Sequence, residues 1–149
     1  MLRWILISLL LFLAAGAFYG GIAMILHPDG QLLQATPDML IGSPFGNFLF
    51  PGIILLIFNG VIPLVAAIGL LFKIPAAPLP WLPWFNTQHW SWSLALASGL
   101  ILTIWIAVQI AMIGYWKEFP IQAVYGGLGV LIIALCWAEK PQHTLTAKA

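Results

Sequence analysis

The sequence predicts an all-α membrane protein: a four-transmembrane-helix antiparallel bundle with an ordered extracytoplasmic loop. Three observations carry that expectation. Of 149 residues, 62% are hydrophobic and only 6% charged, where a soluble domain averages about 25% charged residues. The mean hydropathy of +1.05 leaves too little polar surface to face water. Finally, no charge falls between Arg3 and Asp29, Asp38 and Lys73, Lys73 and Lys117, or Glu118 and Glu139.

A membrane-spanning helix takes about 20 apolar residues. The charge-free intervals supply four such runs, 4–26, 51–72, 91–113 and 120–138. They form one membrane domain, 1–140, followed by a polar cytoplasmic tail, 141–149. The start M-L-R-W and the small residues at 14–17 resemble a signal peptide. The apolar run continues to Leu26, however, so it is read as a retained first span. Within it, Gly16-x-x-x-Gly20 and Ala17-x-x-x-Gly21 are spaced for close helix packing.

The connection 27–50 is predicted to be ordered. His27-Pro28-Asp29-Gly30 is turn chemistry, because proline presets φ and glycine closes the turn. Thr36-Pro37-Asp38 is a helix start, with a cap, a first-position proline and an acid in the first turn. Ser43-Pro44 repeats that signal and predicts a second helix from Pro44. The loop is too apolar to stand in water and is expected to lie on the end of the bundle.

The second span holds the most informative residues, F-N-G-V-I-P at 58–63. A proline cannot donate to the carbonyl four residues back. Pro63 would free the carbonyl of Asn59 in this way, and Pro51 that of Asn47. An unsatisfied carbonyl in hydrocarbon costs several kcal/mol, so a neighbouring side chain, water or a ligand is expected to serve it.

The connection 74–92 carries four prolines, at 75, 78, 80 and 83, which exclude a regular helix. Its aromatics, with Trp4 and Trp137, form the interfacial belt of a bilayer protein. The third span carries Ala95-x-x-x-Gly99 and the fourth Ala123-x-x-x-Gly127. Arg3, Lys73, Lys140 and Lys148 fall on one side of this topology and Lys117 on the other. The excess of positive charge is cytoplasmic, so both termini are placed inside the cell.

Composition excludes several functions. A net charge of +1 gives no field for nucleic acid. Cys136 alone makes no disulfide or thiol-rich metal site, and it reads as a packing residue. His27 and Asp29 face away from His89 and His143, so no metal is expected. No histidine lies in a span to ligate haem. The spans carry no acid or base of the kind that proton relays and ion pumps use, and no catalytic motif is present.

The polar span residues are expected in the outer half of the membrane. At about 1.5 Å per residue, Tyr19 lies about 10 Å, Asn59 about 12 Å, Gln109 about 6 Å, Gln122 about 3 Å and Tyr125 about 8 Å below the outer end of its span. These five are the candidate ligand-binding residues; hydrogen bonding between helices is the favoured reading of them, and the sharper alternative is a pocket lined by Asn59, Gln109 and Tyr125 and roofed by the loop. No residue is assigned to catalysis, metal or cofactor.

The segment S-P-F-G-N-F-L-F-P-G-I-I-L-L-I-F-N-G (43–60), with W-I-A-V-Q-I in the third span, resembles small four-span bacterial membrane proteins over about residues 20–130. That resemblance implies a multi-pass protein of the bacterial plasma (inner) membrane and supplies no activity. The leading functional expectation is a non-enzymatic accessory or structural subunit, packed in the membrane against a protein partner or further copies of itself. The alternative is a binding or transport module for a lipid or other hydrophobic small molecule, using the outer polar cluster.

Overall fold

The computed structural model describes residues 1–74, 90–115, 117 and 120–138. The proline-rich connection, Trp116, and the tail from 139 lie outside the described residues, and with them the aromatic anchoring expected at 75–89. All the regular structure among the described residues is helical, with no strand.

Four helices are long and apolar enough to cross a membrane: Leu2–Leu26, Leu49–Phe72, Trp90–Ile113 and Ile121–Ala138. The expected spans were 4–26, 51–72, 91–113 and 120–138, so charge spacing located each end closely. The first is one helix, α1 (Leu2–Leu26). The second is built in three parts: α2 (Leu49–Ile54), a π-helical segment (Leu55–Val61) and α3 (Ile62–Phe72). The third and fourth are α4 (Trp90–Ile113) and α5 (Ile121–Ala138).

Leu6, Leu10, Leu13, Leu102, Ile132 and Cys136 are buried to 1% exposure or less and form the centre of the core with Ala66, Ala67 and Ala95. Elsewhere the helices present large apolar side chains outward, such as Phe12, Ile104, Val124 and Val130. A water-soluble monomer rarely exposes so contiguous an apolar surface, whereas hydrocarbon accepts it.

Small residues set the close contacts. Gly21 of α1 meets Gly52 of α2, and Gly99 of α4 meets Gly129 of α5, each with a glycine carbonyl about where a methyl would go. The Gly16–Gly20 and Ala17–Gly21 spacings serve the bundle: Gly16 faces Tyr125, Gly20 faces Leu55, and Ala17 is buried beside Gly60. Ala95-x-x-x-Gly99 packs inward as well. The fourth-span pair behaves differently. Ala123 and Gly127 face outward, a Cβ on Gly127 would meet nothing within 4 Å, and Gly129 makes the α4 contact instead.

At one end of the bundle, Arg3 donates through its guanidinium to the carbonyls of Leu70 and Leu71, the last turn of α3. There α3 closes with Lys73 in the left-handed region (φ 50°), while the Ile74 amide bonds back to the Gly69 carbonyl at 3.2 Å. Trp90 Nε1 donates to the Ile74 carbonyl at 3.0 Å and ties the start of α4 to the same end.

At the other end, the loop is ordered by short local bonds. Asp29 Oδ1 accepts from the Gln31 amide (3.2 Å), Ser43 Oγ from Phe45 (3.2 Å) and Asn47 Oδ1 from Leu49 (3.1 Å). Each is a side chain capping a turn two residues on. The His27–Gly30 turn closes with a 2.9 Å bond, and 3₁₀ turns follow at Gln31–Leu33 and Pro37–Leu40. The Phe48 amide bonds the Pro28 carbonyl, which pins the loop's end to its beginning, and Leu40 and Phe48 are buried.

Two expectations for this region change. No helix starts at Pro44, because the Ser43 side chain stabilises a bend and the next helix begins at Leu49. Asn47 therefore precedes the helix and caps it, with Pro51 in its first turn, where an absent amide costs nothing. The Asn47–Pro51 pair is a helix start and not a second copy of the Asn59–Pro63 arrangement.

Candidate functional site

The site begins with Pro63. A proline ring in a regular α-helix clashes with the carbonyl four residues back, here that of Asn59, and removes one ladder bond. The helix widens just before it. Over Leu55–Val61 the bonds run five residues back, and the Ile62 amide bonds the Ile57 carbonyl. The chain answers Pro63 with a change of register, where the sequence suggested a side chain or ligand at the carbonyl. Such π segments are rare and frequently occur at functional sites.

An extra residue in the turn rotates everything beyond it by about 100° relative to an α-helix. Within this segment the Asn59 side chain points inward and is 0% exposed. On the next position, Gly60 lets α1 approach, with the Phe18 ring and Ala17 Cβ at 3.6 and 3.7 Å from a Cβ placed there. α4 packs closely on α3 but touches the π segment sparsely. A cleft of about 180 Å³ opens between them, lined by Ile54, Phe58 and Asn59 on one side and Ile101, Ile104, Trp105 and Val108 on the other. The four α4 residues follow the three-and-four spacing of one helical face.

Asn59 is the polar group of this cleft, and neither its Oδ1 nor its Nδ2 has a hydrogen-bond partner. An amide side chain offers two donor hydrogens and an acceptor oxygen. Leaving a buried donor or acceptor unmet costs about 1–3 kcal/mol. Arg3 Nε and Trp92 Nε1 are also buried without a partner, but Asn59 alone among these residues has both a donor and an acceptor unmet, and it alone lines the cleft.

The other four candidate residues lie elsewhere. Tyr19 points outward and is 71% exposed. Gln109 is half-buried on α4, one turn beyond Trp105, and does not line the cleft. Gln122 is 2% exposed and donates through Nε2 to the Gly114 carbonyl at 3.2 Å, bracing the short connection between α4 and α5. Tyr125 stacks on Phe12 with ring centres 6.3 Å apart and planes at 17°, and its hydroxyl rests against Gly16. The cleft at Asn59 thus gathers none of the other four. Neither Gln109 nor Tyr125 lines the cleft beside Asn59, whose other lining residues are Ile54, Phe58, Ile101, Ile104, Trp105 and Val108.

Trp105 and its neighbours on α4 were missed as site residues for a physical reason. Every span is apolar all round, so no change of character marks which apolar face borders a cleft. The spacing of 101, 104, 105 and 108 was visible, but nothing set it apart from the lipid-facing rows. No three His, Cys, Asp or Glu side chains gather among the described residues. No family model, curated protein or solved structure matches the chain, so the site stands on its geometry.

Proposed function

We propose that the protein is a multi-pass protein of a bacterial plasma membrane that binds a hydrophobic small molecule or lipid in the cleft at Asn59. The observation that carries this reading is the Asn59 amide, fully buried and unpartnered on the wall of an otherwise apolar cleft. The other buried amide, Gln122, is satisfied within the fold through the Gly114 carbonyl. Asn59 is not, and a bound molecule would complete it.

The proposed topology is an antiparallel bundle with both termini cytoplasmic and the 27–50 loop outside. Arg3 against Leu70, with Gly21 against Gly52, supports opposite directions for the first two spans. The brace from Gln122 to Gly114 supports the same for the last two. The Lys and Arg asymmetry supports the orientation. On this topology the cleft opens sideways to the bilayer. Native mass spectrometry of the protein released from lipid nanodiscs tests the reading. Retained lipid-sized adducts on the wild type that are lost from Asn59→Leu are expected, and a wild-type chain that carries no adduct would contradict it.

A second reading, an accessory subunit held against a protein partner or another copy, has its own support. Ala123 and Gly127 form a small-residue face on α5 that the bundle does not use, and such faces pack helices in lipid. Co-migrating chains in mild detergent, lost in Gly127→Leu, are its expected signature. A wild type that runs alone would remove it.

A further inference from the structure

The geometry points to the chemical class of the ligand: a neutral, single-chain amphiphile whose end group both donates and accepts a hydrogen bond, a hydroxyl in the simplest case. It would be held end-first at Asn59 with its chain left in the bilayer. This rests on the reading of the cleft as a binding site and narrows it.

Four features select that class. First, both polar atoms of Asn59 are unmet. An ester, ketone or ether can accept from Nδ2 but leaves Oδ1 orphaned, whereas a hydroxyl serves both. Second, the lining residues Ile54, Phe58, Ile101, Ile104, Trp105 and Val108 carry no ionisable group. A phosphate or ammonium head would be buried there without a counter-charge, which is strongly disfavoured.

Third, the cleft is small. Ligand pockets for drug-sized molecules measure about 300–1,000 Å³, and an apolar cavity of about 150 Å³ holds one benzene. At about 180 Å³ the cleft takes an end group and the first few carbons of a chain, but not a whole lipid. Fourth, its rim lies on the outside of the bundle, where Phe58 is 44%, Ile104 61% and Val108 43% exposed. The remainder of a chain would pass between these side chains into hydrocarbon at no cost in burial.

The test is equilibrium binding to the full chain in nanodiscs, in excess of empty nanodiscs, of three radiolabelled probes of equal chain length: hexadecan-1-ol, its methyl ether and hexadecane. Wild type is expected to hold the alcohol about tenfold more tightly than the ether, the value of one hydrogen bond, and the alkane most weakly. Asn59→Leu is expected to bind all three alike. Ile104→Trp, which fills the rim at an already exposed position, is expected to lose all three while leaving Asn59 buried, so the test survives if Asn59→Leu fails to fold.

The outcomes separate the two claims. Equal binding of the three probes by wild type, lost in Ile104→Trp, overturns the end-group assignment and leaves the cleft a hydrophobic binding site. Binding of none, or binding that Ile104→Trp does not change, overturns the cleft reading itself. A preference for the alcohol that persists in Asn59→Leu overturns the role of Asn59.

Discussion

Gly21 of α1 and Gly52 of α2 face each other so closely that a Cβ on either would stand 3.0 Å from the other's carbonyl oxygen. A Cβ on Gly52 would also lie 2.7 Å from the Met24 Cβ, so neither backbone nor a flexible tip can yield cheaply. Gly52→Ala should therefore destabilise the protein by about 1–3 kcal/mol, the usual cost of overpacking. Gly127→Ala adds a methyl to open space and should be neutral, or gain up to about 1 kcal/mol in helix propensity. Unfolding titration in SDS from mixed micelles compares the two. Equal losses would mean that the α1–α2 contact is looser than described.

The contrast also shows what the sequence could and could not convey. Gly127 sits in a small-residue spacing and Gly52 does not, yet contact geometry shows Gly52 packed on α1 and Gly127 facing outward. The four spans were legible because charges are expelled from hydrocarbon and so mark its edges. Azimuth was not. An apolar helix without a polar face gives no signal of which side turns inward, so Tyr19 and Asn59 looked alike at similar depth, yet one is 71% and the other 0% exposed. The π segment compounds this, because one added residue per turn invalidates any projection from α periodicity past Leu55. Pro63 announced a defect at the right place without announcing its form.

Lys73 closes α3 with φ at 50°, a conformation that disfavours a side chain with a Cβ. Its position is that of the glycine that commonly ends a helix, and the Ile74 amide already makes the bond to the Gly69 carbonyl that accompanies it. Lys73→Gly should raise stability by about 1 kcal/mol, and Lys73→Asn by less, since asparagine tolerates this region better than most residues. Lys73→Val should lower it, because β-branching makes the strain worse. The order Gly, Asn, Lys, Val in thermal unfolding midpoint checks the assignment, and a Val variant as stable as wild type would contradict it.

Arg3 reaches 67 positions along the chain to the Leu70 carbonyl and also meets that of Leu71. A cation at a helix C-terminus gains from the exposed carbonyls and the helix dipole, about 0.3–1 kcal/mol when accessible. Arg3→Met keeps the apolar stem and removes the donors, and it should cost about 1 kcal/mol in SDS unfolding. Arg3→Lys should recover part of that loss, because an ammonium keeps the charge and can serve both carbonyls from one nitrogen, as Nη2 does, but on a shorter side chain. A Met variant indistinguishable from wild type would show that these bonds are exchanged with water at no net cost.

Asn59 combines complete burial with two unmet polar atoms, and that combination has a signature independent of any ligand. Replacing an unsatisfied buried polar group with an apolar one of similar size removes a desolvation penalty. Asn59→Leu should therefore stabilise the ligand-free protein by about 1–2 kcal/mol, against the rule that core substitutions destabilise. Asn59→Asp should do the reverse, since a buried carboxylate without a partner is costlier still. Excess hexadecan-1-ol should then raise the midpoint of wild type, through mass action on the folded state, and raise that of Asn59→Leu by less. A loss of stability in Asn59→Leu without added ligand would show that the amide is already satisfied within the folded protein. The cleft would then be a packing defect beside Pro63 and not a site kept open for use.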